Sequence, residues 1–247
     1  MVHRLLPTFL LVLLLSVLAC GQGLRPYNPS STTNTVLTAI GGTVTGVSVM
    51  LDKRVIPLTE DQLEVLTIDK VWGIDRFSTR HLSLEADEFT DKLLLAGFAS
   101  PFLLMLDRTG RENFNDMALI VFQGGLINAG LINLTKVLVR RARPYNYNPD
   151  APLDTKMRKS SRYSFYSGHT ATSAYFSMTA AKLYSDLHPD AKNKGLMWAA
   201  AAAIPVAVSY GRMRAGRHFF TDVLVGFVTG TAIALTVPSL HKRATGE

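Results

Sequence analysis

Three groups of charged and imidazole side chains stand in a fixed order in the C-terminal half of this 247-residue chain. Lys136 is followed, after six residues, by Arg143 and Pro144. Ser167, Gly168 and His169 come next. Arg212 is then followed after five residues by His218, and after three more by Asp222. Together they offer three permanent cations, two imidazoles and a carboxylate. Such a set can hold a phosphate dianion, attack its phosphorus and protonate the group that leaves.

Each group also has a plainer reading. Residues 117–139 are mostly apolar and suit a helix, which Pro144 brings to an end because proline lacks an N–H and restricts the residue before it. On a continuing helix Lys136, Arg140 and Arg143 fall at i, i+4 and i+7 and share one face. A basic patch for lipid headgroups would look the same. Ser167 is a good N-cap, so the first N–H groups of a following helix are open to an anion. Gly168 lets backbone approach a ligand, and His169 falls in the first turn. An ordinary capped helix with an incidental histidine has the same sequence.

The third group is the most specific. His218 and Asp222 are four apart and share a helix face. A carboxylate that accepts from imidazole Nδ1–H fixes the tautomer and leaves Nε2 free as a nucleophile. Arg212 can clamp phosphate oxygens through two parallel hydrogen bonds. A surface ion pair after a basic loop is the plainer alternative. Two histidines and a lone aspartate on separate segments match no zinc spacing, and there is no EF-hand loop, P-loop or HExxH.

Taken together and in order, the three groups resemble the type-2 phosphatidic acid phosphatase superfamily, which holds lipid phosphatases, bacterial acid phosphatases and vanadium haloperoxidases. Its pattern is Lys-x6-Arg-Pro, then Pro-Ser-Gly-His, then Ser-Arg-x5-His-x3-Asp. The resemblance covers about residues 90–240. Tyr166 stands where the family has proline, and Gly211 where it has serine. Neither replaces a group that does chemistry. The resemblance implies that Lys136, Arg143, Arg212 and the N–H groups around Ser167 and Gly168 bind the phosphate. It implies that His218 attacks phosphorus and Asp222 orients His218. It implies that His169 protonates the leaving alkoxide and then deprotonates water. No metal or cofactor is expected.

A chain of this length is one ordinary domain plus extras. The formal charge is +7, and the excess lies in 140–162 and 212–217, around the proposed site. That suits an anionic substrate, and no nucleic-acid-binding pattern accompanies it. Residues 1–23 read as a signal peptide, a lipoprotein signal or a first membrane helix: a short basic start, an apolar stretch Leu5 to Ala19, then Cys20 in a lipobox-like Val-Leu-Ala-Cys. With one cysteine no intrachain disulfide can form.

Residues 24–87 are expected to be linker and peripheral segments. Within them 24–34 reads as a flexible linker, 35–51 as a weak apolar stretch and 52–90 as helical in pieces. Residues 88–240 are the expected phosphatase core, with helices near 88–106, 114–141, 168–187, 195–210 and 219–238 and a long loop at 145–166. The fold class is all-α, a bundle of about five or six core helices, membrane-associated or multi-pass. A spanning helix needs about 20 apolar residues. The stretch 93–106 falls short and 196–210 and 223–238 are marginal. Counting Leu5–Ala19 as a span, and 35–51 as peripheral, places all three groups on one outer face.

The expected function is metal-independent hydrolysis of a phosphomonoester or terminal pyrophosphate, on a lipid or a small phosphomonoester, through a phosphohistidine. By resemblance the candidate lipids are phosphatidic acid, phosphatidylglycerophosphate, undecaprenyl pyrophosphate and phosphorylated lipid A. The expected place is a bacterial cell envelope, with the site facing the periplasm or exterior. The rivals are a vanadate-dependent haloperoxidase and a non-catalytic phospholipid-binding helical protein.

Overall fold

The computed structural model describes residues 25–243, so the signal or anchor expected over 1–23, with Cys20, lies outside the described residues. Among the described residues six long helices carry the architecture: α1 (Ser31–Asp52), α2 (Leu84–Ala99), α3 (Phe114–Val139), α4 (Gly168–Leu187), α5 (Lys194–Arg214) and α6 (Phe220–Leu240). Short helical turns fill the links between them, and a 3-10 turn, Ser100–Leu106, prolongs α2. Hydroxyl caps start several of them. Ser30, Ser83 and Ser167 accept from Thr33, Ala86 and Thr170 N–H at the heads of α1, α2 and α4, satisfying donors that a helix leaves open.

Consecutive helices alternate in direction. At one end, Lys159 and Tyr163 bond Asp52 at the close of α1 (2.6 and 2.5 Å), and Ser83 N–H donates to Arg214 O (3.1 Å). At the other, Tyr27 donates to Asp186 (2.7 Å), Lys242 pairs with Asp186, and His188 with Asp107. The three sequence groups all fall at the first end.

Among the described residues five segments are long and apolar enough to cross a membrane: Ser31–Asp52, Leu84–Leu106, Phe114–Tyr147, Lys194–Arg214 and Phe220–Leu240. Their apolar side chains largely face outward. Met50, Leu95, Phe122, Val206 and Val228 are exposed, which is costly in water and free of cost in lipid. The fold is an all-helical, multi-pass membrane bundle. α4 is its axis: Ala171, Ala174, Tyr175 and Leu183 are fully buried against α2, α3, α5 and α6.

Small residues set how close the helices come. A Cβ at Gly226 would lie 2.7 Å from Ser167 O, and one at Gly230 would lie 2.2 Å from Ala171 O. Only glycine lets α6 lie on the backbone of α4 here, the small-xxx-small contact of membrane helices. That contact carries the start of α6, with Asp222, to the start of α4.

The structure corrects the expectation for residues 24–51. Tyr27 is buried, and Ser31–Asp52 is a 22-residue helix along α3 instead of a linker followed by a peripheral stretch. Its Gly and Thr content lowers its apolar signal, but those residues make the packing: Gly41 meets Leu126, and Thr45 meets Gly130. The stretch 93–106 read as too short because its helix begins earlier, at Leu84, in a charged turn.

Candidate active site

The first group is built on a helix end. α3 stops at Val139, and Arg140 closes it in the left-handed region (φ 51°), donating its N–H to Lys136 O at 3.0 Å. Lys136, Arg140 and Arg143 therefore do not share one helix face, as the spacing suggested. Arg140 folds back so that its Nε reaches Val137 O (2.9 Å). Arg143 is in extended backbone beyond the helix and nearly buried; its Nε donates to Ser160 O (2.8 Å). Lys136 and Arg143 still converge, because the chain bends between them.

The second group has the local placement that the sequence suggests, a cap and a first turn. Ser167 caps α4, is fully buried, and donates its N–H to Asp222 O (3.0 Å). Gly168 lies under Lys136: a Cβ there would sit 3.0 Å from Lys136 Nζ. His169, in the first turn, has its Nε2 2.8 Å from Asp91 Oδ1.

The third group departs in one respect. His218 precedes α6 instead of lying on it. Its Nδ1 is 2.7 Å from Ser164 O and 3.7 Å from Asp222 Oδ2, so the backbone carbonyl, not the carboxylate, is its direct acceptor. Asp222 acts one step removed. Its Oδ2 accepts from Ser164 Oγ (2.5 Å) and Phe219 N–H (2.9 Å), which fixes both the segment that holds His218 and the turn that follows it. His218 Nε2 has no hydrogen-bond partner among the described residues. Burial holds the His218 pKa well below the usual imidazole value, and Arg143, Arg212 and Lys136 push it the same way. The surroundings favour the neutral ring, with one nitrogen fixed and the other free.

Arg212 closes the ring of cations. It is 5% exposed; its NH1 donates to Asp87 Oδ1 (2.5 Å) and Thr90 Oγ1 (3.2 Å), while its buried Nε has no partner. Gly216, at φ +67°, turns the chain between Arg212 and His218, and the N–H groups of Arg217 and His218 both return to Arg212 O. A Cβ at Gly211 would lie 2.3 Å from Thr90 Cγ2, so the missing serine hydroxyl is exchanged for close packing of α5 on α2. Tyr166 is buried beside Ile132 and Ala171 and forms part of the wall.

Several participants escaped the motif. Asp87 holds Arg212 and takes Arg217 on its other oxygen (2.5 and 3.0 Å). Asp91 lies between His169 and Arg212, 3.7 Å from the latter's NH1. Arg141 pairs with Asp222 and Asp75. Asp87 and Asp91 had only a weak signal, because Glu85, Glu88 and Lys92 share the charged first turns of α2 with them. Asp75 had none. One turn beyond Gly168, Thr172 lines an apolar cavity of about 600 Å³ that also has Phe98, Met105, Phe122, Leu126 and Phe176 in its walls.

The family model of the PAP2 superfamily matches residues 117–245, which contain all three groups and both histidines. The chain belongs to the PAP2 superfamily. As a PAP2 protein it is a hydrolase of the phosphatase type. A solved structure similar to it is described as the first transmembrane PAP2-type phosphatidylglycerolphosphate phosphatase from Bacillus subtilis. The likeness has 24% identity, covers 85% of this chain and 87% of that one, and has a TM-score of 0.42. No curated protein matches the chain.

Proposed function

We propose that this PAP2 protein removes a phosphate, as a monoester or as a terminal pyrophosphate, from a membrane lipid through a phosphohistidine at His218, without a metal. The observation that carries the reading is a buried imidazole whose Nδ1 is fixed on Ser164 O and whose Nε2 is free, with Lys136, Arg143 and Arg212 near enough to lower its pKa. Binding headgroups would need the cations but not an oriented nucleophile, so the arrangement favours catalysis over a headgroup patch.

The steps follow from the groups present. Lys136, Arg143 and Arg212 take the equatorial oxygens and stabilise the charge that builds on them. Ser167 N–H is taken by Asp222 O, and the N–H groups of Gly168 and His169 at the head of α4 add donors along the helix axis. His218 Nε2 forms a bond to phosphorus as the bond to the lipid oxygen breaks. Burial and Arg212 hold the His169 pKa down to about 4. In this account the bound phosphate dianion offsets that charge, so His169 takes up a proton with the substrate, gives it to the lipid oxygen, then takes one from the water that splits the phosphohistidine and frees inorganic phosphate. In the empty site Asp91 accepts from His169, and in this account the leaving oxygen replaces it. Asp222 keeps Ser164 and the 218–219 turn in place, so His218 presents Nε2 throughout.

The lipid part of the proposal is supported by position. The apolar cavity begins one turn past the head of α4 and runs down α2 and α3 on the side where His169 lies. With the phosphate at the cations, an acyl or prenyl chain fits there; because that chain comes from lipid and not from water, the gain is one of position and packing. A bacterial envelope, with the site facing the periplasm or exterior, is part of the same proposal and is supported by the secretory pattern of residues 1–23. The test is phosphate release by purified protein from phosphatidic acid, phosphatidylglycerophosphate, undecaprenyl pyrophosphate and a short-chain phosphomonoester. Release from lipids at much lower concentration than from the short ester supports the reading. Halide oxidation with vanadate and peroxide, and no phosphate release, would replace it with the haloperoxidase reading.

A further inference from the structure

The segment 53–83 joins α1 to α2 and takes no part in the chemistry above. It runs between the ends of two membrane-spanning segments, Asp52 and Leu84, so it lies where both leave the apolar layer. It is built of short turns; Val55, Leu58 and Val71 are buried, but several large apolar side chains stay out of the bundle. Trp72 is 73% exposed, Ile56 67% and Ile74 54%. Asp75, the next residue, is 1% exposed. The 3-10 turn Gly73–Asp75 thus shows apolar groups to the outside and a carboxylate to the site.

The carboxylate is fully engaged. Asp75 Oδ1 accepts from Thr221 N–H (2.9 Å), and Oδ2 accepts from Thr221 Oγ1 and Arg141 NH2 (both 2.8 Å). The other guanidinium nitrogen, NH1, donates to Asp222 Oδ1 at 2.5 Å, and the group stacks 4.0 Å over the Phe219 ring. The catalytic carboxylate is therefore held from outside its own helix. The arginine that holds it lies between Lys136 and Arg143 and is not one of the three phosphate cations.

An indole with its apolar body outward, beside the ends of spanning helices, fits the boundary between lipid headgroups and chains better than water. The layer is already present there, because the adjoining helices span it. We propose that the turn Gly73–Asp75 is seated in the headgroup layer of the bilayer by Trp72 and Ile74, and that Asp75 positions Asp222 through Arg141. The second half rests on the phosphatase reading; the first does not.

The test has two arms. Trp72 and Trp198 are the chain's two tryptophans. In full-length Trp198→Phe, reconstituted in phosphatidylcholine–phosphatidylglycerol vesicles, Trp72 emission should be quenched by lipids brominated near the headgroup end and be little affected by aqueous iodide. Quenching by iodide alone puts the turn in water, and quenching by neither puts it against protein; both overturn the seating. This arm reads out even if the protein releases no phosphate. In the second arm, Asp75→Asn and Arg141→Lys should each lower kcat about tenfold or more with KM within about twofold, and the double variant should lose no more than the worse single, as for residues acting as a unit. A merely structural role predicts a fall in folded yield with kcat per folded molecule unchanged. If Asp75→Asn does not accumulate, Thr221→Val removes one of its hydrogen bonds and should lower kcat roughly threefold. Wild-type kcat in Asp75→Asn, or in Thr221→Val where that replaces it, overturns the positioning role.

Discussion

Replacing Arg212 by lysine keeps the charge and removes the planar fork, which separates a phosphate clamp from a general basic patch. The guanidinium is nearly buried, anchored on one side by Asp87 and Thr90, and its Nε lacks a partner. A lysine has one nitrogen. It can reach Asp87 or the phosphate, and cannot span both as the fork does. The loss in the transition state is that of one well-placed charge-assisted donor, about 2–4 kcal/mol. At 1.36 kcal/mol per tenfold, that is roughly a 30- to 900-fold fall in kcat/KM. Arg143→Lys should fall in the same range, because its Nε is already committed to Ser160 O. Arg158 is exposed and pairs only with Asp154 four residues away, so Arg158→Lys should stay within about twofold. The assay is kcat/KM on a soluble phosphomonoester, which takes membrane binding out of the comparison. A patch that works by charge alone predicts no difference between the three variants and a uniform loss with added salt. Near-normal efficiency in both Arg212→Lys and Arg143→Lys would refute the clamp.

Three further outcomes are expected. Activity should survive a chelator and be blocked by orthovanadate, which mimics five-coordinate phosphorus; loss with EDTA that a divalent ion restores would overturn the metal-independent reading. Because burial and three cations hold the His218 pKa below its usual value, the nucleophile of the free protein stays neutral as pH falls from 7 to 6, so kcat/KM for phosphoenzyme formation from p-nitrophenyl phosphate, whose leaving group needs no proton from His169, should show no loss from His218 there. An acid limb centred near 6.5 that belongs to His218 would contradict the enclosure. Gly230→Ala places a methyl against Ala171 O, 2.2 Å from the ideal Cβ position. It should lower thermal stability in detergent by about 1–3 kcal/mol, and an unchanged melting temperature would show that α4 and α6 are not packed so closely.

The site was more legible in the sequence than the bundle that carries it. Lys136, Arg143, Ser167, Gly168, His169, Arg212, His218 and Asp222 are short-range patterns, because a cap, a first turn and a basic loop are each local. What joins them is not. The exit of Arg143 from the helix depends on Arg140 turning left-handed, which residue types alone do not announce. The contact of His218 with Ser164 O spans 54 positions, and helical spacing pointed instead to Asp222. Asp75 reaches Thr221 across 146 positions, from a segment with no motif. α1 was missed because its Gly and Thr dilute the apolar signal while serving as the surface that α3 packs on. Period and composition report what a segment could bury, and long-range pairing decides which partner it meets.

The central claim is a covalent phosphoenzyme on His218, and rapid acid–base quenching tests it most directly. Protein is mixed with a phosphorus-labelled, activated ester such as p-nitrophenyl phosphate and quenched within a turnover, and the label that stays with the chain is measured for stability in acid and base. Wild type should retain label that is lost in acid and kept in base, the behaviour of a phosphorus–nitrogen bond. His169→Ala should retain some, because p-nitrophenolate leaves without a proton and the later hydrolysis is slowed. His218→Ala should retain none and release no phosphate. Label on His218→Ala, or full turnover by it, would contradict the account.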